Sequence, residues 1–296
     1  MSADSSNFTT TTHRAPYAGI SPSRPELSQR GKVVLITGSS GGIGFAIARS
    51  FAKAGAAKVI MTGRRQGLLD EAVTTLSVQF PKTSFVAHQI DIAKTADVEN
   101  IWNQFDVEGL VVDVLVLNAA RIQHVGSLVD IGYREVWADF TTNVGSHMVF
   151  TDLFYHQKKR HSSKRLFLVN VSTCAIHDFE IAAQHPNYSA SKSAGTILLQ
   201  QVAKGVSADD MQVVSFHPGA IFTSAAKDAG YNETTMKWDD EDLPGHYAVW
   251  AASDQARFLH GRFTWAAWDV EELSGGEKRA RIDRDANFLK VGVVGL

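Results

Sequence analysis

The sequence predicts an α/β fold: one parallel sheet, doubly wound, with helices on both faces. Three observations predict it. Short apolar, β-branched runs recur along the chain, segments with apolar residues at helical spacing alternate with them, and a glycine-rich turn joins the first run to the first helical segment. Strand, helix and strand in regular succession mean crossover connections, which are right-handed and make neighbouring strands parallel.

The first strand is expected at 32–37, KVVLIT, a run without polar alternation, as a strand buried on both faces requires. The helix after it carries FAIARSFAKAG, 45–55, with Gly55 as its stop. AKVIMTG, 57–63, is the second strand, LLDEAVTTLSVQF, 68–80, the second helix, and SFVAHQID, 84–91, the third strand. ADVENIWNQFDV, 96–107, is helical, and VDVLVLNAA, 112–120, is the fourth strand. A long helical stretch is expected over about 132–157. RLFLVNVST, 165–173, is the fifth strand, SASKSAGTILLQQVAKGV, 189–206, the next helix, and MQVVSFHPG, 211–219, the sixth strand. GRFTWAAWD, 261–269, reads as a final strand. No repeat or linker divides the series, so a single domain over 31–270 is expected.

Residues 1–30, rich in Ser, Thr and Pro, are expected to be an irregular arm, lying against the domain or partly disordered. The stretch 224–253 follows the sixth strand at the carboxyl edge, where such sheets bind ligands, and is expected to be a substrate lid; a surface helix pair packed by its aromatics is the alternative. Residues 271–296 form a charged, then apolar tail suited to an oligomer contact.

Composition narrows the function classes. Of 296 residues, 44% are hydrophobic and 20% charged, an ordinary globular balance. A net charge of −2 gives no general attraction for nucleic acid or an acidic membrane. The single cysteine, Cys174, excludes an internal disulfide and fits a reducing compartment. Asp113 interrupts the longest apolar run, and the N-terminus lacks a basic start followed by an apolar stretch, so a cytoplasmic protein is expected. The histidines show no metal-ligand spacing, and no metal is expected. LSGGE at 273–277 echoes transport ATPases, but no phosphate loop accompanies it.

Two motifs carry chemistry. In TGSSGGIG, 37–44, Gly38, Gly42 and Gly44, with Gly41 as an extra, stand where a buried strand turns into an amphipathic helix. Backbone N–H groups can approach a pyrophosphate there because no side chain intervenes, and the helix offers its positive end. In NYSASKSAG, 187–195, Tyr188 and Lys192 lie one helical turn apart among small residues. A snorkelling lysine over a ring is the bland account; a proton-transfer pair open to close approach is the chemical one.

TG-x-x-x-G-x-G, Asn118-Ala119 after the fourth strand, Asn143 on the next helix, Ser172-Thr173 after the fifth, Tyr188-x-x-x-Lys192, and Pro218-Gly219 after the sixth occur in one order. Together they resemble the classical short-chain dehydrogenase/reductase family, over roughly 31–225, and imply a Rossmann-type domain. GRFTWAAWDVEEL also resembles a fungal subgroup, which implies a place in secondary metabolism. The resemblance implies that Tyr188 is the general acid/base, that Lys192 favours its phenolate and holds the nicotinamide ribose, and that Asn143 holds a water in a proton relay. Thr173 takes the place of the active hydroxyl, although threonine replaces serine; either Ser172 or Thr173 could be the carbonyl donor, with Thr173 preferred. The cofactor side would be Gly38, Ser40, Gly42, Ile43, Gly44, Asp91, Asn118 and Ala119, with Pro218, Gly219, Ile221 and Thr223 at the nicotinamide end. Leu117 and Ala120 depart from the family's Asn-Asn-Ala-Gly.

NAD binding favours an acid about twenty residues past the glycines; here MTGRR has Gly63 in that place, then Arg64 and Arg65. No carboxylate repels a 2′-phosphate and a guanidinium can pair with it, so NADP (NADPH) is expected over NAD. The expected activity is hydride transfer between NADPH and a carbonyl or alcohol substrate, in a homodimer or homotetramer. A redox-inactive nucleotide-binding sensor or scaffold, and a cyclase or isomerase using the same pocket, are the alternatives.

Overall fold

The computed structural model describes residues 8–122, 126–228 and 230–293. Its core alternates as expected: β1 (Val33–Ile36), α1 (Gly42–Lys53), β2 (Lys58–Gly63), α2 (Gln66–Gln79), β3 (Ser84–Gln89), α3 (Thr95–Glu108) and β4 (Val114–Leu117). α4 (Leu128–Ile131) and α5 (Tyr133–Phe140) follow, then a π turn at Thr141–Gly145, α6 (Ser146–Tyr155) and β5 (Leu166–Val171). The second half holds α7 (Phe179–Gln184), α8 (Pro186–Gly205), β6 (Met211–His217), α9 (Ser224–Asp228), α10 (Asp242–Ala251), β7 (Arg262–Trp265), α11 (Val270–Ser274) and α12 (Gly276–Arg284).

The seven strands form one sheet in the order β3-β2-β1-β4-β5-β6-β7, and every pairing is parallel. Chain order reverses between β1 and β4, which opens a crevice at the carboxyl edge there. The pleat divides the core in two. Val34, Ile36, Val59, Met61 and Val114 pack with α1, α2 and α10, while Leu35, Ile60, Leu115 and Leu117 pack with α3, α6 and α8. The central strands β1 and β4 are apolar throughout because both of their faces are covered.

Several expected boundaries shift. The helical stretch over 132–157 is broken by the π turn at Thr141–Gly145, a device frequent at functional sites. The helix expected from 189 begins at Pro186, in the first turn where proline's missing N–H costs nothing, so Tyr188 sits in its opening turn. The last strand is only Arg262–Trp265.

The 224–253 segment, expected as a lid, divides into two unlike parts. Leu243, Tyr247, Ala248, Val249 and Trp250 of α10 are fully buried against α1, and Tyr247 Oη lies 2.7 Å from Thr264 Oγ1 of β7. That half is core, because its aromatics complete the α1 face of the sheet. Only the stretch before it, with α9 and its exposed connection, lies outside the core.

Residues 8–30 lie against the domain. Ile20 and Leu27 enter the core, and the carboxylate of Glu272 accepts from the N–H groups of Thr10 and Thr11 at 2.8 Å each. The expectation for 1–7 lies outside the described residues. In the 271–296 tail, Ile282 joins the core and Phe263 N–H donates to Leu289 O at 2.8 Å, so the tail flanks β7. Among the described residues no helix is long and apolar enough to cross a membrane.

Candidate active site

The crevice at the β1/β4 reversal has a volume of about 610 Å³. Gly38, Ser40, Gly42, Ile43, Gly44, Arg64, Asp91, Asn118, Ala119 and Thr223, all expected at a cofactor site, line it. Two glycines make it possible. Gly38 has φ +66°, and a Cβ there would meet Ala119 Cβ at 2.9 Å. A Cβ on Gly44 would meet Gly38 O at 2.3 Å and Asn118 Nδ2 at 2.6 Å. Asn118 explains the closeness: its Nδ2 donates to Thr37 O at 2.9 Å and Gly38 O at 3.0 Å. Asn118 therefore clamps the turn across two strands. No side chain caps α1 at its start, so its first N–H groups face the crevice.

At the end of β2, Gly63 lines the crevice with no acid, and Arg64 and Arg65 beside it are exposed and unpaired with any carboxylate among the described residues. Asp91 also lines it, and its Oδ1 accepts from Ala93 N–H at 3.1 Å, the ordinary strand-end cap. A glycine-walled turn, an uncapped helix start and free guanidiniums fit a dinucleotide carrying an extra phosphate.

Tyr188 and Lys192 do not line this crevice; they stand at the start of α8 beside the end of β5. Tyr188 is half-buried. Burial pushes its phenol well up, Cys174 pushes the same way, and the nearby Thr173 side chain pulls it down. Lys192 is itself buried, donates from Nζ to Val171 O at 2.7 Å, and is lowered by burial to about 8.

The two candidate hydroxyls separate. Ser172 turns inward, 2% exposed, with Oγ 2.7 Å from Thr196 Oγ1. Its hydroxyl serves packing of α8 on β5 and is withdrawn from the site. Thr173 is partly exposed, and its Oγ1 accepts from Ala175 N–H at 3.3 Å.

Asn143 lies in the π turn, fully buried. Its Oδ1 accepts from Arg121 N–H at 2.8 Å, and its Nδ2 donates to Arg121 O at 3.0 Å and Ser191 Oγ at 2.9 Å. The side chain thus joins the β4 loop to α8 and is fully engaged. One turn on, His147 is buried with neither ring nitrogen partnered among the described residues. Burial, with the Lys192 ammonium second, holds that imidazole neutral.

Sequence reasoning missed Arg121, Asp139 and Asn187. Arg121 lines the crevice; its Nη1 donates to Asp139 Oδ1 at 2.5 Å and its Nη2 to Glu135 Oε2 at 2.6 Å. The other oxygen of buried Asp139 accepts from Asn187 Nδ2 at 2.8 Å. No periodicity marks these three. The available signals were adjacency, since Asn187 precedes Tyr188, and helical spacing, since Asp139 lies four residues before Asn143.

Pro218, Gly219 and Ile221 do not line the crevice but carry Thr223 into it. Gly219 has φ +97°, and Asp239 Oδ2 accepts from Ala220 N–H at 2.8 Å. Arg14 of the N-terminal arm pairs with Asp239 at 3.0 Å, so the arm braces this loop. Beyond it Phe222, Trp238 and Tyr231 cluster, with ring centroids 5.1 Å and 6.2 Å from Trp238. Cys174 is buried and its thiol is pushed up to about 11, chiefly by burial, which leaves it inert. No group of three or more metal-binding side chains occurs among the described residues.

A family model described as short chain dehydrogenase matches residues 32–234. The chain is 33% identical over 271 residues to the short chain dehydrogenase/reductase nsrO of Aspergillus novofumigatus, covering 90% of this chain and 89% of that one. It is 33% identical to a short chain dehydrogenase/reductase of Claviceps purpurea, covering 97% and 94%. Its fold is similar to L-sorbose reductase from Gluconobacter frateurii, solved with NADPH and L-sorbose, at a TM-score of 0.72 and 21% identity over 81% of this chain and 96% of that one.

Proposed function

The chain belongs to the short-chain dehydrogenase family, with fungal relatives, and on that premise we propose that it is an NADP-dependent oxidoreductase acting on a large apolar carbonyl compound or the corresponding alcohol. The observation that carries the proposal is Tyr188 with Lys192 one turn along α8, beside Thr173 and at the same sheet edge as a glycine-walled crevice rimmed by Arg64 and Arg65.

In this scheme Gly38, Ser40, Gly42, Ile43 and Gly44 take the diphosphate, and Arg64 the 2′-phosphate. Asp91, Asn118 and Ala119 border the adenosine half; Pro218, Gly219, Ile221 and Thr223 border the nicotinamide. NADPH, when bound, supplies the hydride. Tyr188 gives its proton to the carbonyl oxygen, and Thr173 donates a hydrogen bond to the same oxygen. A phenol kept protonated by burial suits a donor, and the Lys192 charge stabilises the phenolate left behind. Asn143 and Arg121 hold the loop that faces α8. The aromatic cluster of Phe222, Tyr231 and Trp238 flanks Thr223 and supports an apolar substrate and a lid confined to the stretch before α10. A role in secondary metabolism and a homodimer or homotetramer belong to the same proposal; Met148 on α6 and Ile197 on α8, 45% and 40% exposed, support pairing through those helices.

The test is a side-by-side titration with NADPH and NADH, following nicotinamide fluorescence and melting temperature. NADPH is expected to bind roughly tenfold tighter or more, an advantage lost on Arg64→Ala. Equal binding would sink the NADP choice. Binding of neither would bring forward the scaffold alternative.

A further inference from the structure

A second cavity, of about 390 Å³, lies on the far side of the sheet edge and shares no lining residue with the nucleotide crevice. Its walls are the rings of Phe8, Phe263, Trp268 and Phe288, and Arg281 and Lys290 stand on its lining. The walls are anchored. Phe8 packs on Trp268 and Phe288 at 5.1 and 5.4 Å between centroids, Phe263 N–H holds Leu289 O at 2.8 Å, and Arg262 Nη2 donates to Ile282 O at 2.8 Å.

Among the described residues neither cation pairs with a carboxylate. The acids nearest in sequence are spent: Asp283 pairs with Arg279 at 2.9 Å, Glu277 with Arg284 at 3.1 Å, and Asp285 Oδ1 accepts from Asn287 N–H at 2.9 Å. Arg281 instead lies over the Phe288 ring, 3.9 Å from its centroid. Burial pushes Lys290 down, and Arg262 and Lys204 push the same way. An aromatic box of ligand size with two unneutralised cations is complementary to a flat apolar body bearing one acid.

We propose that this cavity binds an amphiphilic organic anion, an aromatic carboxylate in chemical class, its apolar body among the four rings and its acidic group on Arg281 and Lys290. The site backs onto the catalytic loop: Ile176 and His177, which also line it, belong to and follow the turn capped by Thr173. An occupant would touch that turn.

The test uses the full-length protein and two fluorescent probes of similar size, anionic 1-anilinonaphthalene-8-sulfonate and uncharged N-phenyl-1-naphthylamine, with NADPH present to cover the nucleotide crevice. Wild type is expected to bind both. Phe288→Ala should lose both, at unchanged circular dichroism. Arg281→Gln with Lys290→Gln, both at positions outside the core, should weaken the sulfonate roughly fivefold or more and leave the amine within about twofold. Wild type binding neither probe, the double variant holding the sulfonate as tightly as wild type, or Phe288→Ala retaining both would each overturn the proposal.

Discussion

Asp139, on α5, accepts a 2.8 Å hydrogen bond from Asn187, the residue before Tyr188, and does so from inside the protein, at 1% exposure. Its other oxygen holds Arg121 of the crevice wall. One carboxylate therefore ties the floor of the crevice to the first turn of the helix that carries the phenol.

Asp139→Ala leaves Arg121 short of a buried partner and Asn187 with only the longer bond to Glu135 O, 3.3 Å. A loss of about 2–3 kcal/mol is expected, read as a lower urea midpoint at unchanged slope. Turnover should fall further than cofactor affinity, since Asn187 positions Tyr188. A stability change under about 0.5 kcal/mol would show that the bridge carries no weight.

Tyr188→Phe removes the proton donor and leaves the crevice lining intact. Carbonyl-dependent NADPH oxidation should drop roughly 10²- to 10⁴-fold, with the NADPH dissociation constant within about threefold of wild type. Retained turnover would remove Tyr188 from the chemistry.

Lys192 titrates near 8 folded and 10.5 unfolded. Between those values the unfolded chain holds a proton that the folded chain has released, so stability at this position rises with pH through the window. Wild type should gain on the order of 2–3 kcal/mol relative to Lys192→Met between pH 7 and 10.5. Lys32, also lowered to about 8, is common to both proteins and cancels. Parallel profiles in urea melts at the two pH values would contradict the buried charge.

Gly63→Asp should shift preference from NADPH toward NADH. A Cβ there meets nothing nearer than Ser40 Oγ at 3.6 Å, so the change fits without strain. Its carboxylate would repel a 2′-phosphate and accept from a 2′-hydroxyl. Competitive titration of both nucleotides gives the answer; an unchanged ratio would mean that Arg64 and Arg65 alone decide, or that neither end of β2 meets the ribose.

Three buried histidines set the acid limit. Burial lowers His217 to about 3, His246 to about 4 and His147 well below its usual value. Below pH 6.5 the unfolded chain binds protons there that the folded chain refuses, so stability falls as pH falls. The slope is about 1.4 kcal/mol per pH unit for each histidine. Melting temperatures between pH 7 and 5 should drop steeply, and His246→Gln should flatten part of the drop.

The strand succession, the glycine turn and the Tyr188/Lys192 spacing were determined by the sequence alone. Each is written in neighbours: burial on both faces makes a strand apolar throughout, and one helical turn puts residues four apart on one side. Tertiary structure decided what local pattern leaves open. Ser172 and Thr173 are equivalent as text, but Thr196, 24 residues on, takes the first hydroxyl, and the second stays partly exposed. The aromatics of 224–253 suit a lid or a surface helix pair equally, and that Tyr247 and Trp250 enter the core shows only once α1 offers them a face to cover. Arg121, Asp139 and Asn187 become one network across 18 and 48 residues of separation only because α5, α8 and the β4 loop converge, and pairing at that range has no period for a sequence to display.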